Sequence, residues 1–202
     1  NKMPQNVCSE CAKGKMECID CCTSPFIESE PGFWMTLTDV ARIVKKTGLN
    51  PDKFCRFVEV EDDDESNEDE VYGELICCGD KTILMNGIDK KCFFLTGNGC
   101  RIFNERPRMC RIYPFWFHEK DGDINITIEQ EDKINEDDCL ITKSNYSNNN
   151  VNHLLSHMDE TEENMKKCIK EYIEEMKLHD KFKHQLEKKP VIDVLKDNGF
   201  LD

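Results

Sequence analysis

Apolar positions along this chain recur at two periods, three to four residues at either end and two in the middle. Thr36-Leu37-Thr38-Asp39 supplies helix-start chemistry, after which Val40, Ile43 and Val44 fall on one face and Gly48 ends the run. Asn50-Pro51 is a second start signal, with Asn as cap and Pro at the first helical position, leading Phe54 and Phe57 inward. Val71–Cys77 and Thr82–Met85 predict short strands on either side of Gly79-Asp80. Phe93-Phe94-Leu95, Thr96-Gly97-Asn98-Gly99 and Cys100-Arg101-Ile102-Phe103 read as a hairpin or tight knuckle, with Asn98-Gly99 the dipeptide such turns need. Ile124, Ile126 and Ile128 alternate, predicting a half-buried strand over 124–129.

Beyond Ser144–Asn152, where asparagine and serine crowd into a plausible linker, the helical period returns. Leu154, Leu155, Met158, Met165, Cys168, Ile169, Tyr172, Ile173 and Met176 predict one amphipathic helix or two, extending to about Lys189 before Pro190. The stripe reads first as a surface docked on its own domain, and a partner protein is its alternative occupant. The pattern as a whole predicts an α+β fold, small and loop-rich, with short strands and a carboxy-terminal helical extension.

Composition adds a difficulty. Only 38% of the 202 residues are hydrophobic and 34% are charged, so the core is of moderate size and something besides apolar burial is expected to help hold the fold. Net charge is −14, concentrated in Glu59–Glu70, which carries nine acids and no base. That run reads as a solvated loop, with a cation or a basic protein partner as the lesser reading. Nucleic-acid binding lacks its main driving term at this charge. No run of 18 apolar residues occurs, so no membrane span is expected.

Thirteen cysteines are the remaining help. Their total is odd, their spacings are of the C-x-x-C type, and the chain as given begins without an apolar signal segment. Together these favour thiols in a reducing compartment, read as cytoplasm, over disulfides. Two residues between cysteines let both thiolates turn toward one ion, as in zinc and iron–sulfur sites. Cys8, Cys11, Cys18, Cys21 and Cys22 form one block, and Cys92, Cys100, Cys110 and Cys139 are spread over a second. Adjacent Cys21 and Cys22 diverge, which suits a polynuclear cluster, two centres, or one ligand beside one structural thiol. Nine candidates exceed the four thiolates a cubane needs, so one site or two remain open. Four of the six arginines, Arg101, Arg106, Arg108 and Arg111, interleave with Cys100 and Cys110. Arg101, Arg106 and Arg111 are candidates to offset the charge of gathered thiolates; ordinary ion pairs with nearby acids are the alternative. Cys55, Cys77, Cys78 and Cys168 sit in apolar contexts and read as packed thiols. His118 reads as partly exposed, and His153 and His157, four apart on a polar helix, as surface residues. No phosphate loop, serine triad signature or dinucleotide fingerprint occurs.

Cys21-Cys22, Leu37-Thr38 with Ile43, Cys92-x-Phe94-Leu95, Gly99-Cys100-x-Ile102-Phe103 and Arg106-Pro107-x-x-Cys110-Arg111-x-Tyr113-Pro114-Phe115 form an ordered set. This set resembles the prokaryotic C-x-x-C-x-x-C-C cysteine-cluster proteins, a family proposed to chelate zinc or iron, over roughly residues 18–115 and on toward Cys139. The family's first motif would place a cysteine where this chain has Lys15, and Cys8 or Cys11 stands in through a longer loop. The resemblance implies metal binding. It includes a distant similarity to flagellin lysine N-methylases, which implies a protein lysine methyltransferase-like enzyme as an alternative function. The expected organisation is a cysteine-cluster metal-binding domain over 1–143, a linker over 144–152 and a helical extension over 153–202. The expected cofactor is an iron–sulfur cluster of 4Fe–4S type, with zinc the alternative. The expected role is redox, assembly or sensing, or with zinc a stapled module that binds a protein through the acidic loop or the carboxy-terminal helix.

Overall fold

A computed structural model describes residues 22, 33–59, 81–88, 91–128, 151–158 and 160–201. The expected strand over 71–77 and the acidic run past residue 59 lie outside them. The fold is α+β. Helix α1 (Leu37–Thr47) begins where the sequence places it: the Thr36 hydroxyl accepts from the Asp39 N–H, and the Asp39 carboxylate accepts from the Thr36 N–H, each at 3.0 Å. This reciprocal cap is worth about 1 kcal/mol. Gly48 ends the helix at φ 68°, a left-handed conformation that costs glycine nothing, and its N–H reaches the Val44 carbonyl.

Strands β1 (Trp34–Met35), β2 (Cys55–Glu59) and β3 (Lys81–Met85) make an antiparallel sheet in the order β1-β3-β2, with Met35 and Phe57 flanking Ile83. The Asn50-Pro51 start signal yields only a single tight turn, Pro51–Lys53, before the chain enters β2. Phe54 is buried as expected, whereas Phe57 is half-buried on a strand instead of a helix. Three two-stranded ribbons follow: β4 (Gly87–Ile88) with β5 (Lys91–Cys92), β6 (Leu95–Thr96) with β7 (Gly99–Cys100), and β8 (Phe115–Lys120) with β9 (Asp123–Ile128). The β6–β7 hairpin is present, but Thr96 pairs with Gly99, so Gly97-Asn98 forms the turn and the expected Asn98-Gly99 is off by one. Gly99 takes the positive φ, at 96°, from the first position of β7. The Thr96 hydroxyl donates to the Gly99 carbonyl at 2.8 Å and locks that register.

Helix α2 (Arg108–Ile112) is short and starts after Pro107. Helix α3 (Val151–His157) and the 25-residue α4 (Glu162–Leu186) carry the predicted apolar stripe. Pro190 ends that run and also opens α5 (Val191–Asp197), a further helix beyond the expected stop. Two core clusters result. In one, Ile112, Phe115, Phe117 and Ile124 pack with Leu154, Leu155, Ile169, Tyr172 and Ile173. In the other, Leu37, Val40, Ile43, Phe54, Ile83, Phe94 and Ile102 pack with Leu186, Val191, Val194 and Leu195. Each draws on residues from both sides of 144–152, so the packing does not divide there. Each large apolar side chain so buried contributes roughly 1.5–3 kcal/mol. No helix among the described residues is long and apolar enough to cross a membrane.

Candidate functional site

Four of the nine candidate ligands are described, and they sit on the least regular part of the fold. Cys92 ends β5 opposite Gly87, Cys100 ends β7 opposite Leu95, Cys110 is the middle residue of α2, and Cys22 is half-buried like the other three. No disulfide joins any two of them. Cys8, Cys11, Cys18, Cys21 and Cys139 lie outside the described residues. Among the described residues, no group of three or more His, Cys, Asp or Glu side chains is arranged to hold a metal ion, and no three of these thiols gather into one. The donors' chemistry fits a thiophilic metal, zinc or iron, and does not fit the oxygen-seeking cations.

What fixes Cys110 is a buried ionic cluster that the sequence did not announce. Asp39 is fully buried; its carboxylate accepts from the Thr36 N–H, from the Arg108 N–H at 3.1 Å, and from the Arg42 guanidinium. Glu175, on α4, accepts from Arg42 at 2.5 Å, from Arg108 Nε at 3.1 Å and from the Thr36 hydroxyl at 3.3 Å. Arg108 also pairs with Glu171 at 2.8 Å. His179 Nδ1 accepts from the Leu37 N–H at 3.2 Å, so that nitrogen carries no proton. The cluster ties α1, α2 and α4 together two residues from Cys110.

The charges shift one another. Burial raises the Asp39 carboxyl to about 6, against the opposing pull of Arg42. Burial opposes the charge of Arg108, but its anionic neighbours, Glu175 first among them and Glu171 with it, together reverse this and hold the guanidinium above its ordinary value. Arg111 is held below its ordinary value by burial, then by Arg106 and Arg108.

The three arginines read from the sequence differ in placement. Arg101 is exposed. Arg106 lies over the Phe103 ring, 4.0 Å from its centroid, and donates to the Phe103 carbonyl at 2.5 Å. Arg111 donates to the Asn104 carbonyl, while its buried Nε has no hydrogen-bond partner among the described residues. Arg108 follows the alternative of ordinary ion pairs. Cys55 is a packed thiol, pushed up to about 12 by burial and by Asp52, and its Sγ lies 3.2 Å from the Pro51 carbonyl. Cys168 is half-buried and packs against the first core cluster, as expected, with one further neighbourhood. It lines a polar cavity beside Arg108 and Arg111, which pull its thiol down while burial prevails and raises it. His118 is exposed on β8, opposite Asn125.

Sequence reasoning missed Arg42, Glu175 and His179. A signal was present: Glu171, Glu175 and His179 recur every fourth residue, one turn-to-turn line on a helix whose neighbouring line is apolar.

A family model for the CxxCxxCC domain, proposed to chelate zinc or iron, matches residues 8–140. No curated protein and no solved structure matches the chain.

Proposed function

The chain belongs to the CxxCxxCC family, and from that premise we propose that its cysteines hold an iron–sulfur cluster of 4Fe–4S type serving a redox, assembly or sensing role in the cytoplasm. The observation that carries this reading is the cysteine pattern within the matched segment. Five cysteines are crowded into 8–22, the adjacent pair Cys21-Cys22 suits a polynuclear centre, and Cys92, Cys100 and Cys110 sit on two short ribbons and one short helix. Cys18, Cys21 or Cys22 would share the cluster with Cys92, Cys100 and Cys110; Cys8, Cys11 and Cys139 are the reserve ligands. When bound, such a cluster accepts and returns single electrons at a potential set by its charge, its hydrogen bonds and its exposure. The chain's own contribution is positional. Asp39 and Glu175 hold Arg108, and with it the helix of Cys110, while Arg101, Arg106 and Arg111 bring positive charge toward the thiolate-bearing segment.

Zinc is the second reading, which the family's description names alongside iron. It would make the domain a stapled interaction module, with the acidic run facing a basic partner. Anaerobic purification followed by metal and sulfide analysis tests both. Iron and acid-labile sulfide in equal amounts, with the broad visible absorption of thiolate-bound iron, supports the cluster. A colourless protein holding stoichiometric zinc overturns it in favour of the module.

A further inference from the structure

Between α2 and α4 lies a cavity of about 370 Å³ whose wall carries four cations, Arg106, Arg108, Arg111 and Lys167, against the carboxylates Glu160 and Glu171. Arg108 is neutralised by Glu171 and Glu175. The other three cations form no ion pair with a carboxylate among the described residues. Arg106 and Arg111 each spend one of five donors on a backbone carbonyl, and Arg111 Nε is buried with no acceptor among the described residues. A buried donor left without an acceptor costs about 1–3 kcal/mol, so a space that gathers one such donor, Arg111 Nε, with the spare donors of Arg106 and Lys167 is shaped for an acceptor that enters it.

The geometry narrows the anion. Guanidinium forks match tetrahedral and planar oxyanions through paired hydrogen bonds, and four cations against two carboxylates leave the wall with a positive excess that a dianion matches. The wall also has an apolar side, from Phe103 and Met165, which a bare inorganic ion would leave uncovered. The volume is at the small end of small-molecule sites and is unsuited to a polymer. We propose that this cavity binds a small organic phosphoester, its dianionic head on Arg106, Arg111 and Lys167 and its carbon body against Phe103 and Met165. None of these side chains is a candidate thiolate ligand, so the site stands whether the metal is iron or zinc.

The test is calorimetric titration of the full, metal-loaded chain with inorganic phosphate and with glycerol 3-phosphate, at an ionic strength held constant with potassium chloride. Both should bind saturably, the ester more tightly. Arg106→Gln and exposed Lys167→Gln should each weaken binding about tenfold, and Lys167→Gln should keep its full metal content. Heats no larger than the chloride control would overturn the proposal, as would affinity unchanged in both variants, or binding of citrate without phosphate. Loss of metal together with phosphate binding in Lys167→Gln would assign these cations to the metal centre instead.

Discussion

Residues 86–105 and helix α4 are of comparable length, and they keep their places by different means. Along the first, the strands are two residues each, and among the described residues only Phe94, Gly99 and Ile102 are buried. Along α4, eight side chains are buried, two of them the polar anchors Glu175 and His179. A ladder of two residue pairs cannot hold a ribbon in water unaided. That stretch therefore depends on the core beneath Phe94 and Ile102 and on whatever its thiols Cys92 and Cys100 bind. The helix brings its own apolar face. On the proposed function the same chain stabilises one region by area and the other by ligation, and damage to each should register differently.

The largest effect should come from the ligated region. In small metal-folded domains the bound ion contributes about 10 kcal/mol, more than any single contact described here. Stripping the metal, or Cys110→Ser, should cost roughly 5 kcal/mol, or about 15 °C in Tm, and release the amides of 91–101 to hydrogen exchange while α4 stays protected. Equal melting of loaded and stripped protein would erase the contrast between the regions. Next in size, Ile169→Ala removes a fully buried side chain from the helical core and should lower stability by about 3 kcal/mol in urea titration with metal content intact. Metal loss in that variant would show that the regions are not separable.

Glu175→Ala tests their junction. It leaves Arg42 and Arg108 without their shared carboxylate; because Arg42 is a quarter exposed, the cost should be nearer 2 kcal/mol than the full penalty of a buried broken pair. Exchange should quicken in α2 before it does in α4.

The smallest effect is in pH. The Asp39 carboxyl is raised in the folded state to about 6, above its unfolded value of 3.8, so the folded form binds the extra proton. Its contribution is fully present below about pH 4 and is lost as pH rises through 6. Wild-type stability relative to Asp39→Asn should therefore decline between pH 4 and 6, with both proteins carrying the same metal background. A difference that grows over that interval would mean that the ion pair with Arg42 outweighs burial.

Much of the fold was legible where local chemistry decides it. Thr36, Asp39 and Gly48 write the ends of α1, and the stripe from Leu154 to Met176 writes α3 and α4. The hairpin was legible but its register was not, because Gly97-Asn98 and Asn98-Gly99 are both good turn pairs and the choice rests on the Thr96 hydroxyl. Strand β1 is too short to show a period. Phe54 and Phe57, three apart, satisfy a helix as well as the strand that the sheet imposes on the second of them. The thiol inventory was legible; the Asp39–Arg42–Glu175–Arg108 cluster was not, because its members are up to 136 positions apart and each alone reads as a surface charge. The packing also changes what truncation means: a fragment ending at 143 would leave Phe115, Phe117 and Ile124 without the helices that cover them.

Arg42 and Glu175 are separated by 133 residues, which gives the cluster a consequence in time. At roughly 5–20 residues per second on the ribosome, Glu175 follows Arg42 out by about ten seconds. Through that interval Asp39 has no helix α4 to be buried against, and by its end every cysteine has emerged. The thiols therefore meet the solvent, with its oxidants and its metal ions, before the fold that positions Cys110 can close, and the supply of metal and reductant during synthesis sets which of the two reaches them first.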